Sequence, residues 1–269
     1  PPSGLQRLSR ILRLLNKITE RKVHYRVTTR FPEFSGEVVR ELSEGLYAGL
    51  ETPTSTEVGS RSWRSERVVT ERATRALALA GFARAKTYYP GRRVVVACKP
   101  NILQADGLFW AVCQEVAMTE FPELEVVQLH FDACLEQVVR FPEQFGVVIT
   151  ENYNGDALSD LFAGMTGGIG LAPGINVNTE TGFALAEPVG GTAPVIAGKG
   201  TANPTAAILS GALLLEHMGE VDSALRIREG VRTVLSRAEV RTSDLGGTSS
   251  TAAFTDAVIR ALPQPEAAS

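Results

Sequence analysis

The sequence predicts an α/β protein built in layers, helices against a sheet, and two observations carry that prediction. Between residues 93 and 150, three apolar runs (RVVVAC at 93–98, LEVVQLHF at 124–131 and FGVVIT at 145–150) alternate with helix-patterned segments at 107–120 and 133–140. Strands taking turns with helices specify layered α/β architecture, though not the strand order. The composition agrees: 269 residues, 44% hydrophobic and 21% charged, suit one large core or two smaller ones, and a disordered or membrane-spanning chain fits poorly.

In chain order, Leu5, Leu8, Ile11, Leu12 and Leu15 recur at helical spacing with Arg and Lys between them, predicting an amphipathic helix over 4–18 packed on a core rather than a targeting leader. The stretch GEVVRELSEGLYAGLE at 36–51 holds a short strand at Val38–Val39 and a turn at Gly45 and Gly49. A helix is expected from Ser65 to Tyr88, followed by the alternating region. Glycine-rich stretches occupy 167–174 and 190–204, three helices are predicted near 203–218, 221–237 and 250–262, and the tail 263–269 reads as frayed.

The segment ENYNGDALSDLFAGM at 151–165 follows the third apolar run and opens a helix. Its Leu158, Leu161, Phe162 and Met165 make one apolar stripe, while Asp156 and Asp160, four residues apart, project from the opposite face. Adjacent carboxylates repel unless a cation lies between them, and a hard ion such as Mg²⁺ or Mn²⁺ suits oxygen donors. Taken alone, the pair also reads as a helix cap at Asp156 and a solvated Asp160.

Several function classes are excluded. A net charge of −3 gives no general drive toward nucleic acid, although arginines concentrate in the first third. Cys98, Cys113 and Cys134 are odd in number and lack zinc spacing, which indicates a reducing compartment without disulfides. Ala206–Leu215 is too short to cross a membrane, so the expected location is the cytoplasm, or the mitochondrial matrix in a eukaryote. The Gly198–Lys199–Gly200 region lacks P-loop spacing, and no G-x-G-x-x-G follows a strand. His24, His130 and His217 are scattered and support neither a Ser-His-Asp triad nor a histidine-bound metal.

Six stretches in order, RELSEGLYAG, CKPNILQADGLFW, DACLEQVVRFPEQFGVV, ENYNGDALSDLFAG, EPVGGTAPVIAGKGTANPTAAILS and DLGGTSSTAAFTDAVI, span about 38–262. Together they resemble the metal-dependent β-decarboxylating dehydrogenases, the isocitrate, homoisocitrate and isopropylmalate dehydrogenases. The resemblance implies their mixed-sheet fold with flanking helices, which is not Rossmann. It implies one unit over 1–269, with 38–150 as the small, dimer-forming part and 151–262 bearing the metal and nucleotide loop. It also implies NAD-dependent, Mg²⁺- or Mn²⁺-dependent oxidation and decarboxylation of a 2-hydroxy-3-carboxy acid, in a homodimer or a hetero-oligomer with a related chain.

By resemblance, Asp156 and Asp160 bind the metal, with Asp132 contributed across the dimer interface. Lys99 acts on the substrate hydroxyl proton and Tyr47 protonates the enolate. Arg40 holds a substrate carboxylate, as does an arginine of the first helix, best registered at Arg13, with Arg10 and Arg21 as alternatives. Asn101 lies near the nicotinamide, and Glu187, Gly191, Ala193, Ile196 and Asn203 belong to the cofactor loop.

The departures matter too. Gly190 stands where the family has His, and Val195 where NAD users have an acidic residue. Val195 offers no charge to a 2′-phosphate, so NAD stays ahead of NADP. Leu42 follows the isopropylmalate pattern and Glu44 the isocitrate pattern, leaving the hydroxy acid open between isocitrate, homoisocitrate and 3-isopropylmalate. The family's elements before the arginine-bearing helix are not recognised, which predicts an incomplete nucleotide-side sheet. Two readings follow: an active dehydrogenase, favoured by the retained metal aspartates, and a regulatory or structural subunit.

Overall fold

A computed structural model describes residues 18–23 as backbone, and 35–54 and 60–264 with side chains. The helix expected over 4–18, and Arg13 with it, lies outside the described residues except for Ile18, which opens a strand instead: β1, Ile18–Val23. Among the described residues the chain divides into two compact units, one built on 38–158 with 177–183 and the other on 159–176 with 184–264.

The first unit is organised around three parallel strands, β5 (Val94–Cys98), β6 (Val126–His130) and β7 (Val147–Thr150), with β5 in the middle. Next to β7 in the sheet comes β2, Gly36–Glu41. Every residue of β5 and β7 is buried, as near-continuous apolar strands are when both faces of a parallel sheet are covered. The cover comes from α1 (Glu71–Tyr88) and α2 (Gln104–Glu120), whose Leu77, Phe82, Phe109 and Val116 pack with Val94, Val96 and Ile149. A short α3, Phe131–Arg140, follows β6, and α4, Asn152–Met165, follows β7. Two exposed antiparallel strands, β3 (Glu51–Pro53) and β4 (Trp63–Ser65), form a separate ribbon.

Two expectations are corrected here. The helix expected from Ser65 begins only at Glu71, because Ser65 belongs to β4 and Thr70 is the N-cap, its hydroxyl accepting from Ala73 N at 3.3 Å. Two strands in the second unit, β8 (Pro173–Val177) and β9 (Ala184–Pro188), went unassigned because their glycine, proline and asparagine content hides them. Beyond them lie α5 (Thr205–His217), α6 (Val221–Leu235) and α7 (Thr251–Ala261), which bury Leu209, Val231, Val234, Phe254 and Val258 together with Leu171.

Helix α1 approaches β7 closely because Gly81 has no side chain: a Cβ there would lie 2.6 Å from Ile149 Cδ1 and 2.8 Å from Cγ1. Gly81→Val should therefore lower stability by about 1–3 kcal/mol through overpacking. Thermal melting checks this, and an unchanged midpoint would mean that the helix stands off the sheet.

Candidate functional site

Parallel pairing fixes where the reactive side chains emerge. Cys98 pairs with His130 and Ala97 with Thr150, so the three strands end level at one edge. Lys99 follows β5 immediately, Asp132 stands two residues beyond β6, and Asn152 two beyond β7. Open α/β sheets bind ligands outside such carboxyl ends.

Lys99 Nζ forms a short ion pair with Asp132 Oδ1, partly exposed on the lysine side and largely exposed on the aspartate side. The hydrogen bond from Lys99 holds the Asp132 carboxyl below its usual pKa. Asp132 also lies in the first turn of α3, where a negative charge suits the helix dipole. Asn101 sits exposed in the turn between β5 and α2, where Leu103 N donates to Lys99 O at 3.0 Å.

A second cluster joins β2 to α4. Arg40 on β2 is only 3% exposed. Its Nε and Nη2 donate to Asn152 Oδ1 at 3.1 and 2.8 Å, and its Nη1 reaches Asp156 Oδ1 at 2.5 Å. Tyr47 lies in a 3-10 turn, Leu46–Ala48, bounded by Gly45 and Gly49 with positive φ, as the spacing of those glycines predicted. Its hydroxyl donates to Asp156 Oδ2 at 3.0 Å, and its ring lies 5.7 Å from the Arg40 guanidinium. Desolvation, then the hydrogen bond to Asp156, pushes the Tyr47 phenol above its usual pKa.

Asp156 does not cap α4. Glu151 does, its carboxylate accepting from Tyr153 N at 3.1 Å and Asn154 N at 2.8 Å. Asp156 is half-buried and Asp160 exposed one turn further on, opposite buried Leu158, Phe162 and Met165. Among the described residues, Asp132, Asp156 and Asp160 do not gather into one cluster of three metal-capable side chains. The donors are all carboxylate oxygens, which suits Mg²⁺ or Mn²⁺ and not a soft metal.

The cofactor-loop candidates lie in sequence between β9 and α5. Glu187 accepts from Asn176 Nδ2 at 2.9 Å. Ala193 is the one non-glycine residue with positive φ, 41°, among the described residues. Val195 and Ile196 are exposed, 78% and 38%. Asn203 is already committed on both ends: its Oδ1 accepts from Thr205 N at 3.0 Å and its Nδ2 donates to Asp244 at 2.9 Å. Gly191 is open, with nothing within 4 Å of a built Cβ.

Sequence reading missed Asn152 and Gly155. Asn152 orients Arg40, and a Cβ on Gly155 would lie 2.5 Å from Arg40 Cγ. A glycine inside an otherwise good helix signals such a close approach. The three cysteines are free and buried, and burial pushes the Cys98 and Cys134 thiols up to about 12. No helix among the described residues is long and apolar enough to cross a membrane.

A family model described as isocitrate/isopropylmalate dehydrogenase matches residues 13–258. An isocitrate/homoisocitrate dehydrogenase of Thermus thermophilus is 43% identical over 226 residues, covering 84% of this chain and 65% of that protein. A mitochondrial NAD isocitrate dehydrogenase of Dictyostelium discoideum has a regulatory chain that is 39% identical over 238 residues, covering 88% of this chain and 65% of that one. The chain thus spans about two thirds of the length of these curated relatives. A crystal structure of isocitrate dehydrogenase from Methylococcus capsulatus superposes with a TM-score of 0.87 at 35% identity, covering 98% of this chain and 79% of that one.

Proposed function

The chain belongs to the isocitrate/isopropylmalate dehydrogenase family, and from that premise we propose that it oxidises and decarboxylates a 2-hydroxy-3-carboxy acid with NAD and a divalent metal. Isocitrate or homoisocitrate stands ahead of 3-isopropylmalate. The observation that supports this most is the cluster in which Arg40 and Tyr47 both bond to Asp156, setting a guanidinium, a phenol and a carboxylate side by side.

In this reading Arg40, fixed by Asn152, offers its remaining N–H groups to a substrate carboxylate. Lys99, held against Asp132 of its own chain, would come with it from a second copy or a related chain, and its Nζ, once neutral, would receive the hydroxyl proton, NAD supplying the hydride acceptor. Tyr47, protonated at neutral pH, gives its proton to the carbon that has lost CO₂. Asp156 and Asp160 would hold Mg²⁺ or Mn²⁺, with Asp132 supplied by a second copy or a related chain. When bound, the ion acidifies the hydroxyl and stabilises the enolate charge. Asn101 and the loop from Glu187 to Asn203, with Gly191, Ala193 and Ile196, would meet NAD.

A second reading, a regulatory subunit paired with a catalytic one, draws on the 39% identity to the Dictyostelium regulatory chain and on exposed Val195, which offers the cofactor no polar contact. Decarboxylation of oxalosuccinate with Mn²⁺ and no nucleotide, beside NAD reduction with the three hydroxy acids, separates the two. Activity in both assays is expected, with Tyr47→Phe slowing decarboxylation on the order of a hundredfold. A folded protein inactive in both would leave the regulatory role.

A further inference from the structure

Tyr47 carries one proton on its hydroxyl, and that proton is committed, because the hydroxyl donates to Asp156 Oδ2 at 3.0 Å. To reach a substrate carbon the proton has to leave that bond. The hydrogen bond that holds the Tyr47 ring in the resting protein is therefore lost when the phenol reacts. The turn beneath the ring offers little in its place. It is a single 3-10 turn, Leu46–Ala48, with no buried residue and with glycines of positive φ at both ends. Tyr47 itself is 43% exposed.

Two neighbours remain. The Arg40 guanidinium lies 5.7 Å from the ring centroid, but it is held on Asn152 and is assigned to a substrate carboxylate. The other is Tyr153, which meets Tyr47 edge to face, with ring centroids 5.9 Å apart and planes at 80°. Aromatic pairs favour this spacing and tilt. Tyr153 is the second residue of α4, and its backbone N–H donates to the Glu151 carboxylate at 3.1 Å, so its own main chain is fixed. Its side chain fills no core position, since the residue is 48% exposed.

We infer that Tyr153 is a positioning residue: its ring keeps that of Tyr47 aimed at the substrate once the phenol lets go of Asp156. The inference rests on the dehydrogenase reading and deepens it. Arg40, Tyr47, Tyr153 and Asp156 all belong to one chain's half of the site, so the arrangement is the same whether Lys99 and Asp132 come from a second copy or from a related chain. An edge-to-face contact biases ring orientation by up to about tenfold.

The test compares Tyr153→Leu, Tyr153→Phe, Tyr47→Phe and the double variant Tyr47→Phe with Tyr153→Leu in oxalosuccinate decarboxylation with Mn²⁺. Leucine forms helix at least as well as tyrosine, so α4 is kept and only the ring is lost. Tyr153→Leu should lower kcat by about five- to tenfold while KM moves by less than about twofold. Tyr153→Phe should stay within about twofold of wild type, because the ring and not the hydroxyl makes the contact. Adding Tyr153→Leu to Tyr47→Phe should cost nothing further, since residues acting through one another are not additive.

Fluorine NMR of protein grown with 3-fluorotyrosine reads the contact without turnover. Of the five tyrosine signals, that of Tyr47 is the one missing from Tyr47→Phe. In Tyr153→Leu it should move by more than its linewidth while those of Tyr88 and Tyr89 stay in place, and in Tyr153→Phe it should move far less. An unmoved Tyr47 signal, a change in KM alone, equal losses in Tyr153→Phe and Tyr153→Leu, or a further loss on top of Tyr47→Phe would overturn the inference. An inactive wild type would instead sink the dehydrogenase reading, and the Tyr47 signal would then decide whether Tyr153 sets the phenol.

Discussion

Asp156→Asn is expected to remove the metal response and nearly all activity while leaving the fold intact. The amide retains an oxygen that can accept from Arg40 or Tyr47, and Arg40 stays anchored on Asn152 at 3.1 and 2.8 Å. What disappears is the charge that a divalent ion needs. Wild type at a hundredfold excess of Mn²⁺ over its dissociation constant gains about 2.7 kcal/mol by mass action, which raises the melting midpoint by about 5–10 °C in a chain of this size. Asp156→Asn should show almost none of that rise, and kcat/KM should fall by on the order of a thousandfold. Differential scanning calorimetry with and without Mn²⁺ decides it, and equal metal responses in both proteins would remove Asp156 from the ligand set.

The second large effect follows from packing. A Cβ on Gly155 would lie 2.5 Å from Arg40 Cγ and 2.8 Å from its Cβ and Cδ. A flexible surface arginine would give way, but Arg40 is 3% exposed with its guanidinium tied at both ends. Gly155→Ala should displace the guanidinium, cost about 1–3 kcal/mol, and raise KM for the hydroxy acid tenfold or more, roughly the loss of one charge-assisted contact. Gly164, on the same helix with nothing within 4 Å of a built Cβ, is the control. Gly164→Ala should be neutral or stabilising by up to about 1 kcal/mol. Matching behaviour of the two variants in melting and in kinetics would show that Arg40 does not depend on this contact.

What the sequence revealed depended on how local the signal was. β5 and β7 were legible because strands buried on both faces read as unbroken apolar runs, and α4 because its buried stripe repeats at helical period. β8 and β9 were not, since Pro173, Gly174 and Asn176 on one and Glu187 and Pro188 on the other weaken the β signal. The helix expected from Ser65 is set too far back, although Thr70 with Glu71 after it is a recognisable helix start. In the site, Arg40, Tyr47, Lys99 and the aspartates were named through motif resemblance. Asn152 and Gly155 were not, because their roles exist only once distant segments meet.

That distance also affects how the protein is made. Arg40 and Asn152 are 112 residues apart in the chain, and closing a loop of that size costs about 4 kcal/mol in chain entropy beyond a constant. β2 reaches β7 across the same span, so the arginine cradle belongs to the slow, non-local part of the folding reaction. It cannot form on the ribosome until α4 has emerged. A carboxylate ligand that needs this cradle then reports the end of folding, and recovery of its binding should lag behind recovery of helical signal in a refolding experiment.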